Sequence, residues 1–203
     1  MKTFEKTIIL SDLDGTLIPR GGRVSMGNRA AIERFVAAGG RFGVATGRTP
    51  EAAGGYVREL PISAPSVFFN GAMLYDWQTK TVLAERPLPG GEAWPQFAAH
   101  CLATFPTACI EVYTATDCNI ISDPVNDDPR LPHESYRYRH VELADVANIE
   151  KTPWLKFFVN DTPEHLRVLE QEAAVAGISK LSHGFYSEVD YYEFVACGTS
   201  KGA

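Results

Sequence analysis

The feature that most constrains this chain is a short apolar run that stops at a pair of acids. Thr7-Ile8-Ile9-Leu10 is rich in β-branched residues and turns polar at Ser11-Asp12, with Asp14 two positions further on. An uninterrupted apolar run of this length reads as a strand buried on both faces, as parallel sheets contain. In an extended backbone residues i and i+2 project to one side, so Asp12 and Asp14 face a common space. Open α/β sheets place their ligands at this end of a strand. Two carboxylates held so close repel each other unless a cation or a proton intervenes. Gly15 lets the chain turn away, and Thr16 adds a hydroxyl.

The next segments repeat the same theme. Ser25 is placed to cap a helix that carries Ile32, Phe35 and Val36 on one face, and Gly39-Gly40 closes it. A second strand, 41–45, leads into Thr46-Gly47-Arg48, after which Pro50 and Glu51 open another helix. Residues 66–70 read as a third strand. This β-α-β-α-β rhythm predicts a doubly wound α/β core of Rossmann type, with a mainly parallel sheet and loops gathered at its C-terminal strand ends.

After Gly71 the rhythm changes. Met73-Leu74-Tyr75 and Thr81-Val82-Leu83, separated by turn residues, predict a β-hairpin. The Pro/Gly-rich stretch 87–91 reads as a linker into a second domain. Within that domain the pattern predicts a helix over 92–105, a strand over 108–114, loop with short pieces of structure over 123–140 and a strand over 154–159. Thr162-Pro163 opens a helix with Leu166, Leu169 and Ala173 at helical spacing, and strands follow at 178–182 and 191–196. The expected layout is a core of residues 1–86 and 189–203, interrupted by an α+β insert at 87–188.

Composition narrows the classes of function. Nineteen Lys and Arg against 25 Asp and Glu give a formal charge of −6, the wrong sign for a nucleic-acid binder. No apolar run approaches the roughly 20 residues that span a bilayer, and the N-terminal run, broken by Asp12 and Asp14, is not a signal peptide. The four cysteines form no CxxC pair, which leaves a zinc site or a disulfide framework without support. The simplest reading is a reduced, cytoplasmic protein with no membrane partner.

Four motifs carry a resemblance. Asp12-Leu13-Asp14-Gly15-Thr16-Leu17 resembles motif I of the haloacid dehalogenase-like superfamily. Val44-Ala45-Thr46-Gly47-Arg48 is similar to motif II of its Cof-like phosphatases, Phe69-Asn70-Gly71-Ala72 to the Asn-Gly-Ala after their third core strand, and Ser200-Lys201-Gly202 to motif III. The segment between them resembles a C2-type cap.

The resemblance implies a phosphatase acting on small phosphorylated metabolites, sugar phosphates first among them. Asp12 would be the nucleophile that takes the phosphoryl group, and Asp14 the acid for the leaving alcohol and then the base for water. Thr46 would hydrogen-bond the phosphoryl group, with Gly47 beside it, and Lys201 would neutralise Asp12 and the phosphate oxygens. Arg48 is expected either at the substrate or on a surface acid, and Asn70 and Gly71 either as turn residues or at the mouth of the site. The implied cofactor is Mg²⁺, held by the Asp12 carboxylate and the Asp14 backbone carbonyl.

A phosphotransferase or phosphomutase using the same acyl phosphate is the alternative enzyme, and a non-catalytic phosphometabolite-binding protein the alternative of another class. Motif IV, a Gly-Asp-x-x-Asn-Asp string that supplies a third carboxylate to the metal, does not occur. Asn126-Asp127-Asp128 lies in the cap and reads as a turn. The sequence-based expectation is therefore a core incomplete at its C-terminus, weak Mg²⁺ binding and low turnover by these 203 residues, and self-association through the incomplete core. The run His133-Glu134-Ser135-Tyr136-Arg137-Tyr138-Arg139-His140 is expected to be a solvated loop. His100, His165 and His183 are expected to be structural or surface residues, and Cys197 to pack beside an apolar strand.

Overall fold

The structure, a computed structural model, describes residues 3–19, 22–133, 137–142, 145–149 and 152–202. The chain forms two compact units, 1–85 with 200–203, and 86–199.

The first unit is α/β, as the sequence predicts. Strand β1 (Ile8–Ser11) pairs in parallel with β2 (Arg41–Val44), Ile9 opposite Phe42 and Ser11 opposite Val44. Between them runs α1 (Met26–Ala37), where Ser25 Oγ accepts a hydrogen bond from Asn28 N at 3.1 Å and so satisfies an orphan donor of the first turn. Of the predicted apolar face of α1, Ile32 is buried and Phe35 and Val36 are half-buried. Helix α2 (Pro50–Val57) starts at Thr49, whose Oγ1 accepts from Ala52 N, with Pro50 in the first turn where its missing N–H costs nothing. Strand β3 (Ser66–Phe68) continues the parallel order through a bridge between Val67 and Ala45. It also begins an antiparallel meander with β4 (Met73–Asp76) and β5 (Thr81–Glu85), the predicted hairpin.

The second unit is built on one six-stranded sheet. Its elements are α3 (Ala93–Thr104), β6 (Cys109–Tyr113), β7 (Cys118–Ile120), β8 (Tyr138–His140), α4 (Val146–Ile149), β9 (Lys156–Asn160), α5 (Pro163–Val175), β10 (Ser182–Glu188) and β11 (Tyr191–Ala196). The strand order is β10-β11-β9-β6-β7-β8, antiparallel throughout except for β7 against β8. Alternation sorts the side chains of its central strands into two faces. Ile110, Val112, Phe157, Val159 and Phe194 join Trp94, Phe97 and Cys101 of α3 and Leu166 and Leu169 of α5 in one core. Trp94, Phe97, Phe157 and Phe194 meet with ring centroids 5.5–6.4 Å apart. Each such ring is worth roughly 1.5–3 kcal/mol of burial.

Several boundaries differ from the sequence reading. The predicted return to the core at residue 189 falls instead at 200, because β11 lies between β10 and β9 in the second sheet. Residues 87–91 are not a loose tether. Leu88 N donates to Trp154 O at 2.7 Å and Pro89 O accepts from Trp94 Nε1 at 2.8 Å, so this stretch is fastened within the second unit. Arg86 Nη1 reaches Gly198 O at 3.0 Å and ties the incoming chain to the outgoing one.

The predicted strand at 178–182 is a single helical turn up to Lys180. Gly177, at φ +77°, reverses the chain there, and the strand starts at Ser182. Strand β7 was not predicted, because three residues between polar neighbours carry too little pattern. Cys197 is exposed, in the turn after β11, and does not pack as expected.

Candidate active site

Strand β1 delivers its acids through a tightly closed loop. Leu13 O accepts from Thr16 N at 3.2 Å and from Ile18 N at 2.8 Å, while Gly15 N donates to Ile18 O at 2.9 Å. Leu13, Leu17 and Ile18 are buried and anchor the loop. The alternation predicted from sequence therefore holds. Leu13 points inward, whereas Asp12 and Asp14 project outward with side chains 34% and 55% exposed. Thr16 Oγ1 donates to Asp12 Oδ2 at 3.3 Å, a local use for the hydroxyl that the sequence places there.

Lys201 comes to this loop from 189 residues away, with Nζ 2.7 Å from Asp12 Oδ1. Its approach depends on the turn after β3. Phe69, Asn70 and Gly71 have φ of +49°, +55° and +107°, so the predicted strand 66–70 ends at Phe68. The bonds Phe69 N to Arg48 O at 3.2 Å and Asn70 N to Thr46 O at 3.1 Å hold the turn against the loop after β2. At Gly71 a Cβ would stand 2.2 Å from Ser200 O and 2.8 Å from Ser200 N. Only a residue without a side chain lets the Ser200–Lys201 backbone pass there, and the positive φ asks for the same residue. Gly71, expected at the mouth of the site or as a turn residue, is a seat for the segment that carries Lys201.

Thr46 is buried, its N bonded to Val67 O at 2.9 Å and its Oγ1 accepting from Arg48 N at 3.2 Å. Gly47 lies against Asn70, whose Oδ1 would be 2.7 Å from a Cβ added at 47. Arg48 finds a partner the sequence reading did not name. Its Nε and Nη2 donate to Asp14 Oδ2 and Oδ1, both at 2.9 Å, a two-toothed fork on one carboxylate. Each aspartate thus has a cation, Lys201 for Asp12 and Arg48 for Asp14, which answers the repulsion anticipated from their spacing. The signal for the Arg48 contact was its position two residues past Thr46, at a neighbouring strand end.

The remaining candidates belong to the second unit. His100 Nε2 pairs with Glu172, His165 Nδ1 with Asp161, and the His183 ring stacks on Phe185. In the 133–140 run, Glu134, Ser135 and Tyr136 lie outside the described residues. Arg139 Nε donates to Asn119 Oδ1 at 2.8 Å, and His140 Nε2 lies 3.2 Å from Asp127 Oδ2.

Sequence reasoning missed a charged network on the second face of the six-stranded sheet. Glu111 is fully buried, with Arg130 Nη2 2.5 Å from Oε1 and the Tyr113 hydroxyl donating to Oε2. Lys156 pairs with Glu193 at 3.2 Å. A glutamate inside the apolar run Cys109-Ile110-Glu111-Val112-Tyr113 was the available signal.

Among the described residues, no group of three or more His, Cys, Asp and Glu side chains is arranged to hold a metal ion. The oxygen donors of the loop, the Asp12 carboxylate and the Asp14 carbonyl, still suit Mg²⁺. That ion takes one or two carboxylates and fills its other positions with water and substrate phosphate. No helix of the described residues is long and apolar enough to cross a membrane.

The end of β1 thus carries two aspartates, Asp12 paired with Lys201 and Asp14 with Arg48. A model of the haloacid dehalogenase-like hydrolases matches residues 9–203, and the chain belongs to that family. Pyridoxal phosphate phosphatase YbhA of Escherichia coli K12 is 34% identical over 82 residues, 40% of this chain and 30% of that protein. Solved structures share the fold. A haloacid dehalogenase-like hydrolase from Bacteroides thetaiotaomicron has a TM-score of 0.79 at 23% identity, covering 96% of this chain and 73% of its own. The subclass IIB sugar phosphatase BT4131 has a TM-score of 0.72 at 15% identity, covering 97% and 72%.

Proposed function

We propose that the protein is a Mg²⁺-dependent phosphomonoester hydrolase for small phosphorylated metabolites, sugar phosphates first, working through a phosphoryl group carried on Asp12. The observation that carries the reading is the meeting of Asp12 with Lys201, and of Asp14 with Arg48, at the end of one strand. An Asp12 oxygen attacks phosphorus and the bond to the leaving alkoxide breaks, while Asp14 gives that oxygen its proton. Water then attacks the acyl phosphate, Asp14 takes the proton back, and phosphate leaves with Asp12 regenerated.

Lys201 offsets the charge of the incoming dianion, so that two anions can approach each other. Asp12 and the Asp14 carbonyl would hold Mg²⁺, which supplies further positive charge beside the phosphoryl oxygens. The buried Thr46 and the backbone of Gly47 line the same strand end as phosphoryl-binding groups, with the Asn70 side chain close against Gly47. A sugar phosphatase among the structures that share the fold and a pyridoxal phosphate phosphatase among the relatives support the substrate class.

The test is release of inorganic phosphate from a panel of sugar phosphates and pyridoxal phosphate, with and without Mg²⁺. Turnover should require the metal and should fall by at least about a thousandfold in Asp12→Asn, which removes the nucleophile. Undiminished turnover in that variant would remove Asp12 from its role. Isomerised product without free phosphate would replace hydrolysis by transfer.

A further inference from the structure

The fork from Arg48 to Asp14 fixes only the edge of the guanidinium, and a second group fixes its face. Tyr56, in the last turn of α2, lies with its ring under Arg48, the Cζ 4.8 Å from the ring centroid. The contact spans eight residues and joins the loop after β2 to the helix that loop begins. We infer that Tyr56 is a positioning residue for the reaction: its ring holds the guanidinium plane so that both nitrogens face Asp14. This deepens the proposed function and rests on its reading of Asp14 as the proton carrier.

The geometry explains why a ring is useful there. Asp14 is more than half exposed, and an exposed ion pair by itself contributes little to order. A guanidinium spends its in-plane N–H groups on a carboxylate and leaves its two faces free for an aromatic ring. With the Arg48 edge on Asp14 and its face on Tyr56, rotation about the last side-chain bonds breaks one contact or the other. The two bonds of the fork then hold the Asp14 carboxylate in place. The Tyr56 hydroxyl takes no part in this arrangement; the ring does.

The test compares Tyr56→Phe with Tyr56→Leu, and reads the Arg48 Nε–Hε group by NMR alongside steady-state kinetics. In the wild type the Arg48 Hε signal should be displaced by the ring current and exchange slowly with water, as a forked donor does. Tyr56→Phe should keep both signatures and the wild-type kcat. Tyr56→Leu should lose the displacement, speed exchange, and lower kcat about two- to fivefold with KM little changed, the scale of an exposed cation–π contact. Its thermal midpoint should stay near that of the wild type.

An unchanged Arg48 signal in Tyr56→Leu would overturn the inference. So would a lost displacement with unchanged exchange and kcat, or an equal defect in Tyr56→Phe. If Asp12→Asn keeps the activity of the unsubstituted chain, the proposed function fails. The exchange rate of Arg48 Hε in Tyr56→Leu then decides the positioning claim alone.

Discussion

The parallel pair β1–β2 and the six-stranded sheet treat apolar strands in opposite ways. Ile8, Ile9 and Leu10 of β1 are 55%, 42% and 43% exposed, although parallel strands are ordinarily covered on both faces. In the second unit every residue of β6 is buried, and β9 is buried up to its last residue. An apolar run therefore announces that a strand suits burial, not how much burial it finds. The division of labour follows from it. The first unit holds the paired aspartates, both cations and the loops that aim them, whereas the second holds the large aromatic core. Its stability should be lost through packing, and the first unit's activity through single polar atoms.

The largest expected effect on stability is at Phe157, fully buried between Trp94 and Phe194. Phe157→Ala should cost about 3–5 kcal/mol, the transfer term plus the cavity, read as a shift of the urea midpoint. Ile9→Ala in β1 should cost roughly 1 kcal/mol, since much of that side chain is already in water. Equal costs would break the comparison.

The second contrast sets a buried ion pair against an exposed one. Burial holds the Glu111 carboxyl above its ordinary value, while Arg130, the Tyr113 hydroxyl and Lys156 pull the other way. Glu111→Leu removes the buried carboxylate that Arg130 and the Tyr113 hydroxyl both bond, and should destabilise the protein by about 3 kcal/mol. Lys201→Ala breaks a pair at a similar distance between groups that are both partly exposed, and should cost at most about 1 kcal/mol. Phosphate release should fall steeply in Lys201→Ala and not in Glu111→Leu measured well below its unfolding temperature. The reverse pattern would contradict the assignment of chemistry to the first unit.

These contrasts also show what the sequence could reveal. The strand-acid junction at Ser11-Asp12 was legible because apolar run, spacing and strand end all point the same way. Ser25 and Thr162 were legible as helix starts because a cap needs a side-chain oxygen at one position, and Pro50 because a proline suits the first turn. The return point at 200 was not, since membership of a sheet is decided by pairing, and β11 has the pattern of a strand in either unit. The Arg48–Asp14 fork was hidden for a related reason. Sequence places both residues at strand ends, but which charge an arginine meets depends on the parallel register of β1 and β2. The end of β3 at Phe68 was hidden because positive φ at Phe69 and Asn70 is imposed by bonds to Arg48 O and Thr46 O.

Gly71 tests that last point at an intermediate scale. Gly71→Ala puts a Cβ against the Ser200 carbonyl and forces an L residue to φ +107°. The strain should cost about 1–3 kcal/mol, and relief of the clash must move the Ser200–Lys201 segment. Activity should therefore fall more than stability alone explains. Ala at 71 with full activity would return Gly71 to the role of a simple turn residue.

The smallest expected effect separates buried from exposed thiols within the second unit. Cys101, Cys109 and Cys118 are buried in the second unit, whereas Cys197 is exposed. Burial pushes the Cys101 thiol from 9.0 up to about 12, with Glu172 adding to it, and the Cys109 thiol likewise to about 12, with Glu111 adding. Cys118 is raised as well, by burial and then by Glu111. A thiolate is the reactive form, so at pH 8 iodoacetamide should label Cys197 and leave the other three untouched in the folded protein. A thiol whose value is raised on folding favours the fold while it is neutral. That contribution is complete below pH 9.0, the ordinary value, and is lost as pH rises toward 12, where the unfolded chain alone has ionised. The urea midpoint should accordingly begin to fall above pH 9, and labelling at Cys101 and Cys109 should appear only as unfolding does. Labelling of Cys109 at pH 8 in fully folded protein would show that the second sheet opens more readily than its packing implies.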